Sequence, residues 1–274
     1  MENLVQITQV NKNYGKTAAL SDISLSIPAG RIIGLIGPNG SGKTTLLRAM
    51  TGLISYEGNI SVMDIEPKTN RPDLMTHAGV IHDISVLPPW MTIRQVVEFV
   101  EGMKSEFNRE KCQKILKKTS IKWESKVKHL SKGMKTQLHL ALVLATDTRL
   151  LILDEPTHGL DILFRKELYA NVLEDYFDTN KSVIISTHQV EEVEHILSDV
   201  IFIREGKVVL FESMETLKNR YFQVIVSDLS STTKCNSKSV CRDSGAGLES
   251  PYLSKTKMRC TYEKLQPTHA GTKI

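Results

Sequence analysis

The chain has 274 residues, of which 41% are hydrophobic and 24% are charged, and its formal net charge is +4. These values are typical of a globular protein with one large or two small domains. No stretch approaches the roughly 18–20 consecutive apolar residues of a membrane helix, and the amino terminus lacks the basic start and apolar run of a signal peptide. We therefore expect a cytosolic protein.

Positive charge is concentrated at the carboxyl end. Residues 228–274 hold eight Lys and Arg against four acidic residues, whereas the rest of the chain holds 27 of each kind. The balanced body gives no support for a nucleic-acid-binding surface. Three of the four cysteines, Cys235, Cys241 and Cys260, lie in the same segment, and Cys112 lies alone in the body. Their spacing fits no common zinc pattern, so we expect reduced thiols.

The first eighty residues alternate strand patterns with one helix. Residues 5–7 and 23–27 are typical of strands, and we assign them to an N-terminal antiparallel β subdomain. An apolar run at 31–36 predicts another strand, and a helix follows from about Lys43 to Thr51, where Gly52 ends it. Residues 58–62 and 77–81 predict two more strands, joined by a polar connection at 68–73.

A phosphate-loop motif, Gly37-Pro38-Asn39-Gly40-Ser41-Gly42-Lys43-Thr44, lies between the 31–36 strand and its helix. Glycines permit a backbone whose N–H groups point at phosphate oxygens, and a helix N-terminus favours the same negative charge. This context predicts a nucleotide site rather than a turn that binds nothing, although the motif alone does not select one phosphate-loop family. The residues predicted to contact nucleotide here are Gly37, Asn39, Gly40, Ser41, Gly42, Lys43, Thr44 and Thr45.

The stretch from about 88 to 147 is mostly helical in pattern. Thr92 to Gln95 forms a capping box that opens a helix, and residues 108–118 predict another. Beyond it, the apolar runs at 150–153 and 183–186 are typical of strands buried in a parallel sheet, with a predicted crossover helix at 163–178. The predicted fold is therefore α/β, a phosphate-loop NTPase core with an inserted helical subdomain.

Two acidic residues, Asp154 and Glu155, follow the 150–153 strand, at the sheet edge where ligands bind in open α/β folds. Asp154 and the Thr44 hydroxyl are suited to hold Mg²⁺, and Lys43 to contact the β- and γ-phosphates. Glu155 is suited to orient and polarise the attacking water. Two carboxylates that merely cap a strand are the alternative, which the phosphate loop disfavours. The combination predicts an NTPase.

Several short motifs, taken in order, resemble those of ATP-binding cassette (ABC) ATPases. The stretch Leu130-Ser131-Lys132-Gly133-Met134-Lys135 resembles the family's signature sequence, Gly159-Leu160-Asp161 its D-loop, and Ser186-Thr187-His188 its switch histidine. Tyr14 is similar to the aromatic residue that stacks on adenine. The set spans roughly residues 3–215, and on it the chain resembles an ABC transporter ATPase subunit of the bacterial exporter type.

The resemblance implies two cassettes packed head to tail. ATP bound at Lys43 of one chain is then closed by Ser131 and Gly133 of the other, presented at a helix N-terminus. Asp161 connects the two sites across the interface. The second cassette is an identical chain or a different one.

Within one chain, the resemblance implies that His188 contacts the γ-phosphate and links it to Glu155, which makes these two the catalytic residues. Tyr14 stacks on the adenine. The alternatives are a histidine that simply ends a strand and an aromatic residue on the surface beside a turn.

Some positions depart from the family pattern. Lys132 and Met134 replace a glycine and a glutamine of the signature, His158 replaces a serine before the D-loop, and Asp83 stands where the Q-loop has glutamine. An aspartate can still help to bind Mg²⁺, and the other catalytic positions are intact, so we predict an active ATPase. The predicted metal ligands are Thr44, Asp83 and Asp154.

The leading functional hypothesis is an ATP-hydrolysing subunit that powers a separate transmembrane permease, in the direction of export. We expect this subunit to lie on the cytoplasmic face of the membrane, with ATP and Mg²⁺ as cofactors and no nucleic acid as a partner. A soluble ABC ATPase acting in translation or DNA maintenance is the alternative. A phosphate-loop kinase or GTPase lacks support, because it leaves the signature and His188 unexplained.

The domain prediction is an ABC ATPase domain at 1–226 and a basic, Ser/Thr/Lys-rich tail at 227–274. Residues 221–226 predict a last strand, and the polar segment after it has no helix or strand period, so we expect disorder there. A contact of the basic tail with anionic lipid is the second interpretation. The abrupt change in composition also permits an appended sequence.

Overall fold

A computed structural model describes residues 3–81, 87–157, 160, 165, 169, 181–226, 240–242 and 258–263. Within them the chain divides into two units, Met1–Phe211 and Glu212–Ile274. None of the described helices has the length and apolar character needed to cross a membrane. The helices and strands are, in chain order, β1 (Asn3–Tyr14), β2 (Thr17–Pro28), β3 (Ile32–Ile36), α1 (Lys43–Met50), β4 (Glu57–Val62), α2 (Arg71–His77), β5 (Ala78–Ile81), α3 (Ile93–Met103), α4 (Arg109–Lys117), α5 (Lys132–Leu144), β6 (Leu150–Asp154), β7 (Ser182–Thr187), β8 (Asp199–Arg204), β9 (Lys207–Ser213), α6 (Met214–Arg220), β10 (Tyr221–Val226), β11 (Val240–Arg242) and β12 (Met258–Glu263).

The amino-terminal strands form an antiparallel sheet in the order β2-β1-β4. Both predicted strands are present, and each is longer than the sequence pattern indicated, because β1 and β2 continue to a tight turn at Gly15, whose φ is +59°. The predicted antiparallel β subdomain is confirmed. Tyr14 is the last residue of β1, next to that turn.

The central sheet has the order β5-β6-β7-β3-β8-β9, with parallel pairing from β5 through β8. Strands β3, β6 and β7 are buried along their whole length, as their continuous apolar runs predicted. Strand β3 lies between β7 and β8, so the chain leaves β3 toward the β5 edge and later crosses back past β3 to reach β8. A nucleotide is expected at such a reversal.

Helix α1 joins the two sheets into one hydrophobic core. It contacts β2 and β4 of the antiparallel sheet and β6 of the parallel sheet. Leu46, Leu47 and Met50 on this helix are each at most 2% exposed and pack with Ile7 of β1 and Ile33 of β3. The helix that follows the phosphate loop is therefore fixed from both sides, and the loop with it.

Helices α3, α4 and α5 lie between β5 and β6, as the predicted helical insertion requires. The capping box is confirmed, since Thr92 Oγ1 accepts from Gln95 N at 3.2 Å and Gln95 Oε1 accepts from Thr92 N at 2.9 Å. Asn108 caps α4 by accepting from Lys111 N at 2.9 Å. These caps explain why both helices begin where the sequence indicated.

Two details differ from the sequence-based expectations. The predicted polar connection at 68–73 contains the start of α2, which has a proline in its first turn, where the missing N–H costs no helical hydrogen bond. The hairpin-forming segment of β8 and β9 was not predicted at all. The predicted crossover helix at 163–178 lies outside the described residues except for Arg165 and Tyr169, which are helical.

The second unit contains α6 and a three-stranded antiparallel sheet in the order β10-β12-β11. Strand β10 matches the predicted strand at 221–226. Strands β11 and β12 fall in the segment for which the sequence predicted no regular structure. The second unit begins at Glu212. The backbone pairing of β12 with β10 is a tertiary feature that has no local sequence pattern.

Candidate nucleotide site

Three neighbouring strands of the parallel sheet end at one cavity of about 600 Å³. The phosphate loop follows β3, Glu155 follows β6 and His188 follows β7, and β7 lies between β6 and β3. Because the strands are parallel, their carboxyl ends meet at the same edge. The cavity is lined by Tyr14, Ala19, Asn39, Gly40, Gly42, Lys43, Thr44, Thr45, Glu155, Thr157, Arg165, Thr187, His188 and Gln189.

The phosphate loop has the form of an anion cradle. Gly42 is the N-cap of α1, has φ +109°, and provides no side chain to accept from the first-turn N–H groups. That first turn contains no acidic residue. The hydroxyl of Ser41 is buried and makes no hydrogen bond to the described residues. Donors at a helix N-terminus suit a polyphosphate, so these residues fit the phosphates of a nucleotide.

Lys43 is buried at the floor of the cavity and only 6% exposed. Its ammonium donates to Gly37 O at 2.8 Å and Pro38 O at 3.3 Å, and it lies 3.3 Å from Glu155 Oε1. The positive charge is therefore held by the loop's own carbonyls and by one carboxylate. A phosphate that enters the cradle can replace these neutral acceptors with a charged one.

Asp154 is fixed by hydroxyl groups from two other elements. Its Oδ1 accepts from Thr44 Oγ1 at 3.1 Å and from Ser186 Oγ at 2.6 Å. The parallel register pairs Asp154 of β6 directly with Ser186 of β7, which brings the serine within reach. Mg²⁺ is usually held by one or two carboxylates together with phosphate oxygens and water, so the adjacent carboxylate and hydroxyl of Asp154 and Thr44 fit that ion.

Glu155 adopts a left-handed backbone with φ +48°, which is costly for a residue other than glycine. Its N–H donates to Ser186 Oγ at 3.0 Å and to Ser186 O at 3.2 Å. This turn brings Oε1 near Lys43, and Oε2 lies 2.9 Å from His188 Nδ1. The carboxylate thus bridges the lysine of the loop and the histidine after β7.

Tyr14 lies at the rim of the cavity and is 49% exposed. The Lys12 ammonium lies 5.1 Å from the centre of its ring. An accessible ring at the edge of a phosphate cavity is available for stacking on a base.

Tyr14, Glu155, His188 and the loop residues Asn39, Gly40, Gly42, Lys43, Thr44 and Thr45 line the cavity, whereas other predicted residues that the structure describes, Gly37, Ser41 and Asp154 among them, do not. Ser131 is the exposed N-cap of α5, where its Oγ accepts from Met134 N at 3.2 Å, and neither Ser131 nor Gly133 is among the described residues that line the cavity. Asp83 and Asp161 fall outside the described residues.

Sequence reasoning missed several members of the site. Ser186 was noted only as part of a motif, although its hydroxyl holds both acidic residues. Thr157, Arg165 and Gln189 also line the cavity. The pairing register of β6 and β7 is the signal that identifies Ser186, because it places this residue opposite Asp154.

A family model described as "ABC transporter" matches residues 20–158, about half of the chain, including the phosphate loop and Glu155. The chain belongs to the ABC transporter family. A model described as "AAA domain, putative AbiEii toxin, Type IV TA system" matches the shorter range 124–194, which includes β6 and β7 of the cassette.

Relatives of this cassette are named as ATP-binding proteins of transport systems. The lantibiotic transport ATP-binding protein SrtF of Streptococcus pyogenes is 31% identical over 220 residues, which cover 79% of this chain and 93% of SrtF. The taurine import ATP-binding protein TauB of Yersinia pestis is 30% identical over 213 residues, 74% of this chain and 80% of TauB. The cassette is accordingly an ATPase, the ATP-binding subunit of a transporter.

Solved structures agree with the fold. The ATP binding subunit of an ABC transporter superposes with a TM-score of 0.70 at 22% identity, covering 79% of this chain and 92% of that chain. The structure of cbiO1 from Clostridium perfringens, described as part of the ABC transporter complex cbiONQ, has a TM-score of 0.65 at 26% identity and covers 80% of this chain and 92% of cbiO1. The predicted fold class is confirmed.

Proposed function

We propose that this cassette powers a separate membrane permease in the direction of export, by hydrolysing ATP with Glu155 and His188. The observation that carries the proposal is the bridge made by Glu155, whose two carboxylate oxygens lie 3.3 Å from Lys43 Nζ and 2.9 Å from His188 Nδ1. A carboxylate held beside the phosphate-binding lysine is positioned to accept a proton from a water that attacks the γ-phosphate.

In this mechanism Lys43 changes partners when ATP enters. Its ammonium moves from the loop carbonyls and Glu155 to the β- and γ-phosphates, which releases one oxygen of Glu155 to bind water. His188 keeps its hydrogen bond to the other oxygen with Nδ1–H as the donor, and Nε2–H donates to the γ-phosphate, so both ring nitrogens carry a hydrogen in this step. Glu155 is therefore engaged by Lys43 before ATP binds and by water afterwards.

Asp154 and Thr44 are proposed to hold Mg²⁺, with Asp83 as a third ligand from the segment after β5. When bound, Mg²⁺ neutralises charge on the β- and γ-phosphate oxygens. The hydroxyl of Ser186 holds Asp154 in place for this task, and its 2.6 Å hydrogen bond supports that role. The other proposed contacts with ATP are made by the loop residues from Gly37 to Thr45 and by Tyr14, stacked on the adenine.

We propose that two cassettes close head to tail around ATP. Ser131 and Gly133 lie at the N-terminus of α5, away from the cavity of their own chain, which supports a role for them at the site of a second cassette. Asp161 is proposed to connect the two sites. The partner is a second copy of this chain or a different cassette.

The proposed permease contact is a second groove of about 380 Å³, whose lining includes Leu87, three residues before Trp90 in sequence. The groove is lined by residues of β5, α2, α3 and α5 and of other segments, and most of these residues are apolar. Leu53 on its wall is 44% exposed, and Trp90 is 69% exposed nearby in sequence. Exposed apolar side chains around a groove suit a partner helix, as a permease provides.

Export is the direction proposed from the resemblance of the motifs to those of bacterial exporter ATPases. The relatives' names include both a lantibiotic transport protein and a taurine import protein, so the proposed direction rests on that resemblance alone. The soluble alternative predicts no membrane association, and co-purification with membranes that hold a permease distinguishes the two functions.

The test of the proposed mechanism is the oligomeric state of Glu155→Gln with ATP and Mg²⁺, measured by gel filtration with light scattering. Removing the base leaves ATP uncleaved, so we expect a dimer with ATP and a monomer without it. Adding Ser131→Arg should abolish the dimer, because a long side chain at the signature blocks closure. Adding Ser105→Arg, on an exposed residue of the helical insertion, should leave it intact. ATP-bound monomers in Glu155→Gln contradict closure between identical chains.

A further inference from the structure

Arg165 forms a bridge between two segments at the edge of the nucleotide cavity. Its Nε donates to Leu160 O at 3.0 Å, and its Nη1 donates to Glu192 Oε1 at 2.5 Å and to Gln189 Oε1 at 3.3 Å. The side chain is 27% exposed and lines the cavity. A guanidinium with three acceptors on two segments fixes the distance between those segments.

Both side-chain acceptors belong to the turn that follows His188. Gln189 is its direct neighbour, and Glu192 ends a single 3-10 turn, Val190–Glu192, that has no buried residue. The ring of His188 is 38% exposed and its described polar contact is with Glu155. The ring is therefore positioned by Glu155 and by the backbone of the turn, where buried Thr187 also accepts from Gln189 N through Oγ1 at 3.0 Å.

The charges around this bridge explain why the turn needs a cation. Glu191, Glu192 and Glu194 follow His188 closely, and the Glu192 side chain is only 23% exposed. Without Arg165 this carboxylate is left partly buried without its ion pair, and it gains by turning toward water or toward the His188 ring. Turning toward water removes the contact that holds the turn at Glu192, and turning toward the ring places a second carboxylate in competition with Glu155 for His188.

We propose that Arg165 is a positioning residue that holds the turn at Gln189–Glu192, and through it the His188 ring, at the distance that hydrolysis requires. This inference rests on the proposed role of His188 at the γ-phosphate. Arg165 then acts on the rate of hydrolysis and not on ATP affinity, because its described donors Nε and Nη1 are directed at the protein.

The test is a double-mutant cycle with Arg165→Ala and His188→Ala, measured as the single-turnover rate of ATP hydrolysis by the full chain and as ATP affinity. Arg165→Ala should lower the rate by about tenfold to a hundredfold with affinity nearly unchanged. In the His188→Ala background the same change should cost less than about twofold, since the residue it acts through is already absent.

The matched control is Arg109→Ala, which removes a partly exposed arginine paired with Glu101 at 2.7 Å on the helical insertion and should keep the wild-type rate. If Arg165→Ala does not fold, as judged by its unfolding midpoint, Arg165→Lys replaces it and should show a smaller loss with the same dependence on His188. A full loss in the His188→Ala background, or weaker ATP binding at an unchanged rate, overturns the positioning role. A wild-type rate in His188→Ala alone contradicts the proposed function itself.

Discussion

At Gly42 the phosphate loop passes so close to β2 that a side chain has no room. A Cβ added there would lie 2.7 Å from Ala19 O, at a φ of +109°. Gly40 also has a positive φ, +79°, but an added Cβ meets nothing within 4 Å. A left-handed backbone alone costs a residue other than glycine about 1–3 kcal/mol. We predict that Gly42→Ala lowers the free energy of unfolding in urea by more than this backbone strain, and by more than Gly40→Ala does. Equal losses in the two variants contradict the close approach.

Cys112 is fully buried in α4, and burial raises the pKa of its thiol from 9.0 to about 12. The folded chain therefore keeps the thiol proton to a higher pH than the unfolded chain. At a pH between these two pKa values, unfolding releases the thiol proton. The free energy of unfolding should therefore fall as the pH rises from 9.0 toward 12. Urea unfolding over this range measures the fall, which should be smaller in Cys112→Ala. If the free energy of unfolding has the same pH dependence in both proteins, the fall does not come from the Cys112 thiol.

At the scale of single elements, the capping box fixes the first turn of α3. Thr92→Ala removes the side-chain acceptor for Gln95 N and should lower the free energy of unfolding by about 0.5–2 kcal/mol. Thr92→Ser keeps the hydroxyl and serves as the control, with a loss near zero. Denaturant unfolding of the three proteins checks this prediction. If Thr92→Ser is as unstable as Thr92→Ala, the loss of stability comes from the missing methyl group and not from the missing cap.

The sequence located those elements whose ends carry local signals. Thr92 and Asn108 accept hydrogen bonds from the backbone of their own helices, so their helices could be predicted within a residue or two. Helix α2 was missed because residues 68–73 were interpreted as a polar connection, although a first turn tolerates polar residues and a proline. The pairing of β11 and β12 joins segments far apart in sequence, which no short pattern specifies.

At the scale of the whole molecule, the parallel sheet explains why much of the site could be predicted. The phosphate loop, the acidic pair and His188 each follow a buried strand, and parallel pairing brings those ends together without further information. The contacts made by Ser186 and Arg165 depend instead on strand register and on the course of a turn. Such contacts appear only once the chain is folded, and for that reason these two residues had no predicted role.

The most direct test of the catalytic role of Glu155 is the single-turnover rate of ATP hydrolysis in Glu155→Gln, with ATP binding measured on the same protein. Glu124→Gln is the control, since Glu124 is 75% exposed and pairs with Arg94 on the helical insertion. If Glu155 is the base, its variant should bind ATP normally and hydrolyse it about 10²–10⁴-fold more slowly, while the control is unchanged. Hydrolysis at the wild-type rate in Glu155→Gln would contradict the proposal that this carboxylate activates water.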